Sequence, residues 1–527
     1  VTSEAVTQLK GLLPLTQISD EVYDVIRRKE DWRARIELAR QGVVMPDKGW
    51  GAHWMPGITP YEHQLRGYAV ASTALEMSPG TGLWHDMGLG KTLTSLALLF
   101  NRHSEIGGGA MNALVICPSS VIGVWGKAID EHVDYPIRYI PLTGPMPKRA
   151  LKIHTAKLDR YEGITLFGTN YESLWREALE TALCSIDIEM VIADEAQAIK
   201  TAGSKQSKAA RKIASKSKKI ASTGTPTDKQ QDYFGIFRWL DPSVFGTSET
   251  AFIGHWFDSI ILPGVPKPKV TGLKPHLEDE FMEKIHSVCH SAKKEDCLDL
   301  PKKIDTPVPV ELEPAAMKKY IALRDEALAW LDSGEAITGQ NILTRMGRCI
   351  QLTGGFVKDE LGKTHVVSTA KADACVDLAH TVLDQEDKLV IYCRHTAEID
   401  ELRKRLSIKY TVDVIDGRVP AGQRRDDIID RFQEADLQIV IIQERAGGAG
   451  ITLHASSTAI DYSRSPDLIP YLQKRDRVHR IGMPDKPVTY FNLYVPGTLD
   501  DKILHHVLQE KRKSHEITVH QWKGLMQ

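Results

Sequence analysis

The stretch HDMGLGKTLTSLALLF at 85–100 constrains the fold of this chain more than any other feature. Two glycines flank Leu89, and Lys91, Thr92 and an apolar helical run follow at once. A turn of this kind that opens a helix presents backbone N–H groups and a helix N-terminus to an anion. Gly88 and Gly90 let the backbone approach phosphates, Lys91 reaches the β- and γ-phosphates, and the Thr92 hydroxyl holds Mg2+. The expected nucleotide site therefore takes in Met87, Gly88, Leu89, Gly90, Lys91 and Thr92. The strict phosphate-loop pattern asks for glycine five residues before Gly90, where His85 stands. A chance G-x-G-K-T turn is the alternative, and the apolar helix behind Lys91 argues against it.

VIADEAQ (191–197) supplies the complement: a buried apolar strand ending in two carboxylates. Asp194 is placed to bind Mg2+ through water, and Glu195 to polarise an attacking water as general base. Acidic pairs after strands are common; one roughly 100 residues behind a phosphate loop is far more specific. Gln64, upstream of the loop in TPYEHQLRGYA, is assigned to the adenine on that position alone; otherwise it is a surface residue. ATP and Mg2+ are thus the expected ligands.

Short apolar runs alternate with helical stretches on both sides of the chain's middle. ALVICP (113–118), MVIADE (190–195) and KKIAST (218–223) read as buried parallel strands, as do KLVIYC (388–393), TVDVIDG (411–417), LQIVIIQ (437–443), STAIDYS (457–463) and VTYFNLYV (488–495). Two such series in 527 residues predict two α/β lobes, since one core rarely grows that large. The expected divisions are an N-terminal extension (1–55), a first lobe (56–305) with a helical insertion near 240–300, a second lobe (306–510) with a helical protrusion near 311–360, and a tail (511–527). In the extension, 20–41 has helical spacing with Val22, Val25, Ile26 and Ile36 on its apolar side. No apolar run approaches the roughly 18 residues that span a bilayer, and the start of the chain has no apolar signal core. The seven cysteines form no C-x-x-C pair, so neither a zinc site nor a disulfide framework is expected. Net charge is −2, but 203–220 holds seven Lys or Arg and no acid. Taken alone, that run is a solvated helix face.

Two late motifs complete the set. In QKRDRVHRIG (473–482), Gln473, Arg477 and Arg480 share one helix face at i, i+4, i+7. They suit either stabilisation of a γ-phosphate in its transition state or a basic solvated helix, and spacing does not decide. ERAGGAGITLHAS (444–456) carries Gly447, Gly448 and Gly450, a pattern for close backbone approach to a ligand, or a tight structural turn.

The order of these pieces resembles helicase superfamily two and, within it, the SWI/SNF-type ATPases. The match runs through Gln64, DMGLGKT, LVICPSSVIGVW, DEAQAIK with SKQSKAARK, STGTP, FRWLDPSVF, SAKKEDCLDLPKK, KLVIYC, DGRVPAGQRRDDIIDRF, ERAGGAG and QKRDRVHRIG, over roughly 58–505. The resemblance implies an α/β fold of two RecA-like lobes, parallel sheets flanked by helices, with inserted helical protrusions. It implies an ATP site from Lys91, Thr92, Asp194 and Glu195, with Gln473 and Gly448 beside the nucleotide and Arg477 and Arg480 as arginine fingers. Ser119, Ser120, Thr223, Lys205, Lys208 and Arg445 become candidates for phosphate contacts that do not read sequence. Trp125 has two readings, stacking on a base and packing beneath its loop, and the second is preferred. The implied function is a DNA-stimulated ATPase that translocates on double-stranded DNA. The alternatives are a strand-separating helicase and an ATP-gated scaffold that does not turn over. A monomer, cytoplasmic and DNA-associated in a bacterial, archaeal or virus-infected cell, is expected, with 1–55 or 511–527 open to a protein partner. The sequence departs from the family at His85 and Asp86, at Arg464 and Ser465 where Trp-Asn is common, and at Met483.

Overall fold

The computed structural model describes residues 20–43, 50, 53–159, 161–224, 227, 229–260, 269–332, 347–358, 363–420, 422–434, 436–444, 451–465, 468–480 and 482–509. The chain divides into two compact units, Val1–Leu298 and Asp299–Gln527.

The first unit is built on a seven-stranded sheet. Its strands are β1 (Gly80–His85), β2 (Met111–Cys117), β3 (Ile137–Pro141), β4 (Ile164–Asn170), β5 (Met190–Asp194), β6 (Lys218–Ser222) and β9 (Cys289–Ala292), in the order β3-β4-β2-β5-β6-β1-β9. Every pairing in it is parallel. Helices link successive strands, so both faces are covered and the inner strands read as continuous apolar runs. All six residues of β1 and all five of β5 are buried.

The helix Asp20–Arg40 packs on the helix Glu62–Met77. Ile26 and Ile36 are buried, Trp32 Nε1 donates to the Thr73 carbonyl at 2.7 Å, and Arg35 pairs with Glu76 at 2.6 Å. Val25, expected on the apolar side, is 49% exposed. Adjacent residues on a helix point about 100° apart, and Ile26 takes the inward position. Further along, β7 (Phe257–Ile260) and β8 (Lys269–Leu273) form an antiparallel ribbon.

The second unit carries a six-stranded, all-parallel sheet of β10 (Lys303–Pro309), β13 (Leu389–Cys393), β14 (Val412–Ile415), β15 (Ile439–Gln443), β16 (Thr458–Asp461) and β17 (Val488–Tyr494). The order is β10-β17-β16-β13-β15-β14. Alternate residues feed two cores. Leu389, Ile391, Ile439 and Ile441 pack on one face; Val390, Tyr392, Val440 and Ile442 pack on the other. A short antiparallel pair, β11 (Phe356–Lys358) and β12 (Thr364–Val366), and the helix Pro314–Asp332 lie ahead of that core in the chain.

In an open parallel sheet, the loops at the carboxyl ends of the strands form the ligand crevice. In the first unit, β1 runs into the glycine-rich loop, β2 into Ser119, β5 into Asp194–Glu195 and β6 into Thr223, so four sequence motifs end on one edge of one sheet.

Candidate active site

The loop between β1 and the helix Lys91–Glu105 turns through two glycines in the left-handed region, Gly88 at φ 87° and Gly90 at φ 70°. The left-handed φ favours glycine at 90, and a Cβ there would also lie 2.1 Å from Gln64 Nε2, so that amide would have to move aside. Gln64 itself is 3% exposed. Its Oε1 accepts the Tyr61 amide at 2.8 Å and its Nε2 donates to the Gly90 carbonyl at 3.3 Å. The neighbouring His63 Nε2 lies 3.0 Å from the Leu89 carbonyl. Gln64 is therefore fastened to the loop. Lys91 folds back on the same turn, its Nζ donating to the carbonyls of His85 at 2.8 Å and Asp86 at 3.3 Å.

Across β6 from β1, Asp194 ends β5 and is buried. Its Oδ2 accepts Trp125 Nε1 at 3.1 Å, and its Oδ1 accepts the Glu195 amide at 3.1 Å. Burial first, and then the adjacent Glu195 charge, push the Asp194 carboxyl up to about 6, against the pull of Lys91 and Trp125. Trp125 is 1% exposed, so it serves this carboxylate and is not available to stack on a base. Glu195 has φ 55° and ψ 55° and is the single non-glycine with positive φ among the described residues. That conformation is uncommon for a residue with a Cβ and persists where surroundings enforce it. Here Gln197 Nε2 donates to Glu195 Oε2 at 2.7 Å, and Thr223 Oγ1 donates to Gln197 Oε1 at 2.7 Å. Thr223 is thus fully buried and linked to the acidic turn.

Among the described residues no group of three or more His, Cys, Asp or Glu side chains is arranged to hold a metal. The oxygen donors of Asp194 and Thr92 nonetheless fit Mg2+, which takes few protein ligands, retains waters and binds substrate phosphates.

The departures at 85 and 86 have structural partners. His85 is fully buried and its Nε2 lies 2.8 Å from His290 Nδ1 on β9. Burial pushes both imidazoles down, His290 to about 4. Gly67 makes room for the pair, since a Cβ there would meet His85 Cε1 at 2.7 Å. Asp86 Oδ2 accepts the Lys294 amide at 2.8 Å, tying the loop to the SAKKEDC segment.

Ser119 and Ser120 open the turn behind β2, Ser119 exposed and Ser120 half-buried. Of the basic run 203–220 only the first part is a helix, Lys205–Ile213, which buries Ala209, Ala210 and Ile213 and exposes Lys205 and Lys208; its end enters β6, where Lys219 is buried. Lys205 Nζ lies 4.6 Å from the Trp175 ring centre and Arg176 Cζ lies 4.0 Å from it, so two exposed cations share one indole. Arg445 and Gly448 lie outside the described residues.

In the second unit the helix Leu468–Val478 is not a solvated basic face. Lys474, Arg475 and Arg477 are each 3% exposed. Arg475 pairs with Asp305 at 2.6 Å, and Arg477 donates to the Ile451 carbonyl at 3.3 Å. Arg480 donates to Thr452 Oγ1 at 2.9 Å, and Gln473 is half-buried. Arg464 is 1% exposed and donates to Asp500 and to the carbonyls of Asp461 and Leu493. Sequence reading missed Gln197, Lys474, Asp500 and the bond from Trp125 to Asp194. Gln197 was the legible one, a polar residue two places behind a candidate base.

An SNF2-related domain matches residues 63–352, more than half of the chain, and a helicase conserved C-terminal domain matches 370–482. The chain is 25% identical over 485 residues to the ISWI chromatin-remodeling complex ATPase CHR11 of Arabidopsis thaliana, covering 87% of this chain and 44% of that protein. It is 25% identical over 483 residues to the Chromodomain-helicase-DNA-binding protein 1-like of Danio rerio, covering 88% and 44%. Among solved structures it is similar to the Sulfolobus solfataricus SWI2/SNF2 ATPase core in complex with dsDNA, at 26% identity and TM-score 0.40, covering 86% of this chain and 92% of that one. The chain spans less than half the length of the curated relatives it matches. With two α/β units on parallel sheets and these two domains in succession, the chain belongs to the SNF2 family of helicase superfamily two.

Proposed function

We propose that this chain hydrolyses ATP to move along double-stranded DNA. The observation that carries the reading is the strained Glu195 at the end of β5, braced by Gln197 and Thr223, on the same sheet edge as the Lys91 loop. Strain of this kind is maintained at sites where a side chain must be aimed. In the reaction, Glu195 accepts a proton from the attacking water while Gln197 holds its carboxylate. Lys91 exchanges the carbonyls of His85 and Asp86 for phosphate oxygens. Asp194 and Thr92 would hold Mg2+, which neutralises charge on the β- and γ-phosphate oxygens. We assign Gln64 to the adenine, with Met87, Leu89, Gln473 and Gly448 beside the nucleotide, and Arg477 and Arg480 to the charge that develops on the transferring phosphoryl group.

For the DNA, Ser119, Ser120, Lys205 and Lys208 offer hydroxyl and ammonium donors to the phosphate backbone, and Arg176 extends the cationic surface at Trp175. Thr223 acts through Gln197. The relatives named above include, by name, a chromatin-remodeling ATPase and a DNA-binding protein, and the DNA of chromatin is duplex, which favours duplex DNA as the track. A second reading, strand separation, draws on the antiparallel ribbon β7–β8, whose Ile260 is 47% exposed and could serve as a wedge. Two assays on the same preparation test the choice. Displacement of a third strand from a DNA triplex with no opening of a forked duplex is expected. Fork opening that the exchange Ile260→Asp abolishes would favour the helicase.

A further inference from the structure

Two strand ends of the second unit are tied to the helix Leu468–Val478 through one lysine. Lys474 Nζ lies 2.5 Å from Asp461 Oδ1, at the end of β16, and 3.4 Å from Glu444 Oε1, just past the end of β15. The three side chains are 3%, 0% and 1% exposed. Glu444 Oε2 accepts the Ser465 amide at 2.7 Å, and the Lys474 carbonyl accepts the Tyr392 hydroxyl at 2.8 Å. The ammonium also lies 5.4 Å and 5.1 Å from the rings of Tyr392 and Tyr471. One turn onward, Arg477 donates to the Ile451 carbonyl while its own carbonyl accepts the Leu453 amide at 2.9 Å, and Arg480 donates to Thr452. The helix and its extension to Arg480 are thus gripped twice, at Lys474 by the strand ends and at Arg477 and Arg480 by 451–453.

Two carboxylates and one ammonium leave a net negative charge in a dry place. Among the described residues, Lys474 Nζ, Glu444 Oε1 and both Asp461 carboxylate oxygens make no directed hydrogen bond. Such a cluster carries a heavy desolvation cost and is weak evidence for stability. What it supplies is placement, because Lys474 stands three residues before Arg477 on one helix and cannot shift along that axis without leaving a carboxylate unpaired.

We propose that Lys474, held between Glu444 and Asp461, is a positioning residue that sets where Arg477 and Arg480 stand relative to the ends of β15 and β16. This rests on the assignment of those arginines to phosphoryl transfer. A misplacement of about 1 Å in a positioned group costs about a hundredfold in rate, so even a partial shift is measurable.

The test is DNA-stimulated ATP turnover of Glu444→Gln beside wild type, with the melting temperature and hydrogen exchange at the Leu453 amide. The exchange keeps the side-chain volume and removes one charge from the triad, and the melting temperature reads whether the fold is kept. We expect kcat to fall about tenfold or more with KM for ATP within about twofold, and the Leu453 amide to exchange faster. The double exchange Lys474→Met with Asp461→Asn removes an opposite pair of charges and leaves Glu444 free to keep its bond to Ser465. It is expected to fold and to show the same loss of kcat, and it decides the question alone if Glu444→Gln fails to fold. Turnover within about twofold of wild type in a folded variant, or a loss wholly in KM, overturns the positioning role. An inactive wild type overturns the motor reading itself; an active wild type with an unaffected variant overturns only this inference.

Discussion

Glu195 shows how far a single side chain depends on its immediate neighbours. The dipeptide Asp194–Glu195 was visible in the sequence because two carboxylates behind an apolar strand are conspicuous. The left-handed backbone at Glu195 was not, since backbone strain leaves no compositional trace; Gln197 two places on was a hint, but its bonds to Glu195 and Thr223 were not readable. Replacing Glu195 by Gln keeps the shape and removes the proposed base, so turnover is expected to fall by about a hundredfold or more, in line with general-base catalysis, while binding of a fluorescent ATP analogue persists. Near wild-type turnover in that variant would remove Glu195 from the mechanism. Trp125 was legible only by half. Its packing role could be read from the sequence, but the service of its indole N–H to Asp194 could not, because 69 residues separate the two. Trp125→Phe should lower stability by about 1.5–3 kcal/mol, the worth of a buried hydrogen bond to a carboxylate, and weaken turnover without changing DNA affinity. Weakened DNA binding at unchanged turnover would restore the stacking role.

The strands and helices that carry these residues were mostly legible, because parallel strands covered on both faces are uninterrupted apolar runs. β5, β6, β13, β15 and β17 fall where such runs stand. β1 was hidden: GTGLWH contains two glycines, and its burial comes from β6 and β9 on either side. The pairing of His85 with His290 was equally hidden, since 205 residues separate them. It has a consequence for pH. Both imidazoles are neutral in the fold and titrate well below their ordinary value of 6.5. The unfolded chain therefore takes up protons first as pH falls through 6.5, and stability present above that pH is lost on the way down to about 4. The loss for His290 amounts to about 3 kcal/mol at about 1.4 kcal/mol per pH unit. Urea unfolding of the chain at pH values of about 7 and about 4.5 should show the decline, and His290→Gln should flatten it. A decline of the same size in that variant would assign the effect elsewhere. In the second unit, Arg464 and Lys371 both pair with Asp500, at 3.3 Å and 2.5 Å, all buried. Asp500→Asn strands two buried cations and should cost about 3–5 kcal/mol. Arg464→Met leaves the Lys371–Asp500 pair intact and should cost less; thermal denaturation of both variants reads the order, and the reverse order would contradict it.

For the whole molecule, composition said little and arrangement said much. A net charge of −2 conceals a basic surface, because acids elsewhere cancel it. The division of the chain into two units followed from length and from two series of strands, whereas the ribbon β7–β8 carried no recognisable pattern in the sequence. A motor that grips phosphates without reading bases should bind duplexes of any sequence, with affinity falling steeply as salt rises. Lys208→Ala should weaken binding uniformly across sequences and lower the salt slope by about one, measured by fluorescence anisotropy over a range of about 50 to 200 mM salt. Strong preference for one sequence would contradict the phosphate grip. The most direct measurement is steady-state ATP hydrolysis without nucleic acid, with single-stranded DNA, with duplex DNA and with duplex RNA, using Lys91→Ala as the blank. Strong stimulation by duplex DNA that vanishes in the blank is expected; stimulation confined to single strands or RNA, or no turnover at all, would overturn the reading of the chain as a duplex-DNA motor.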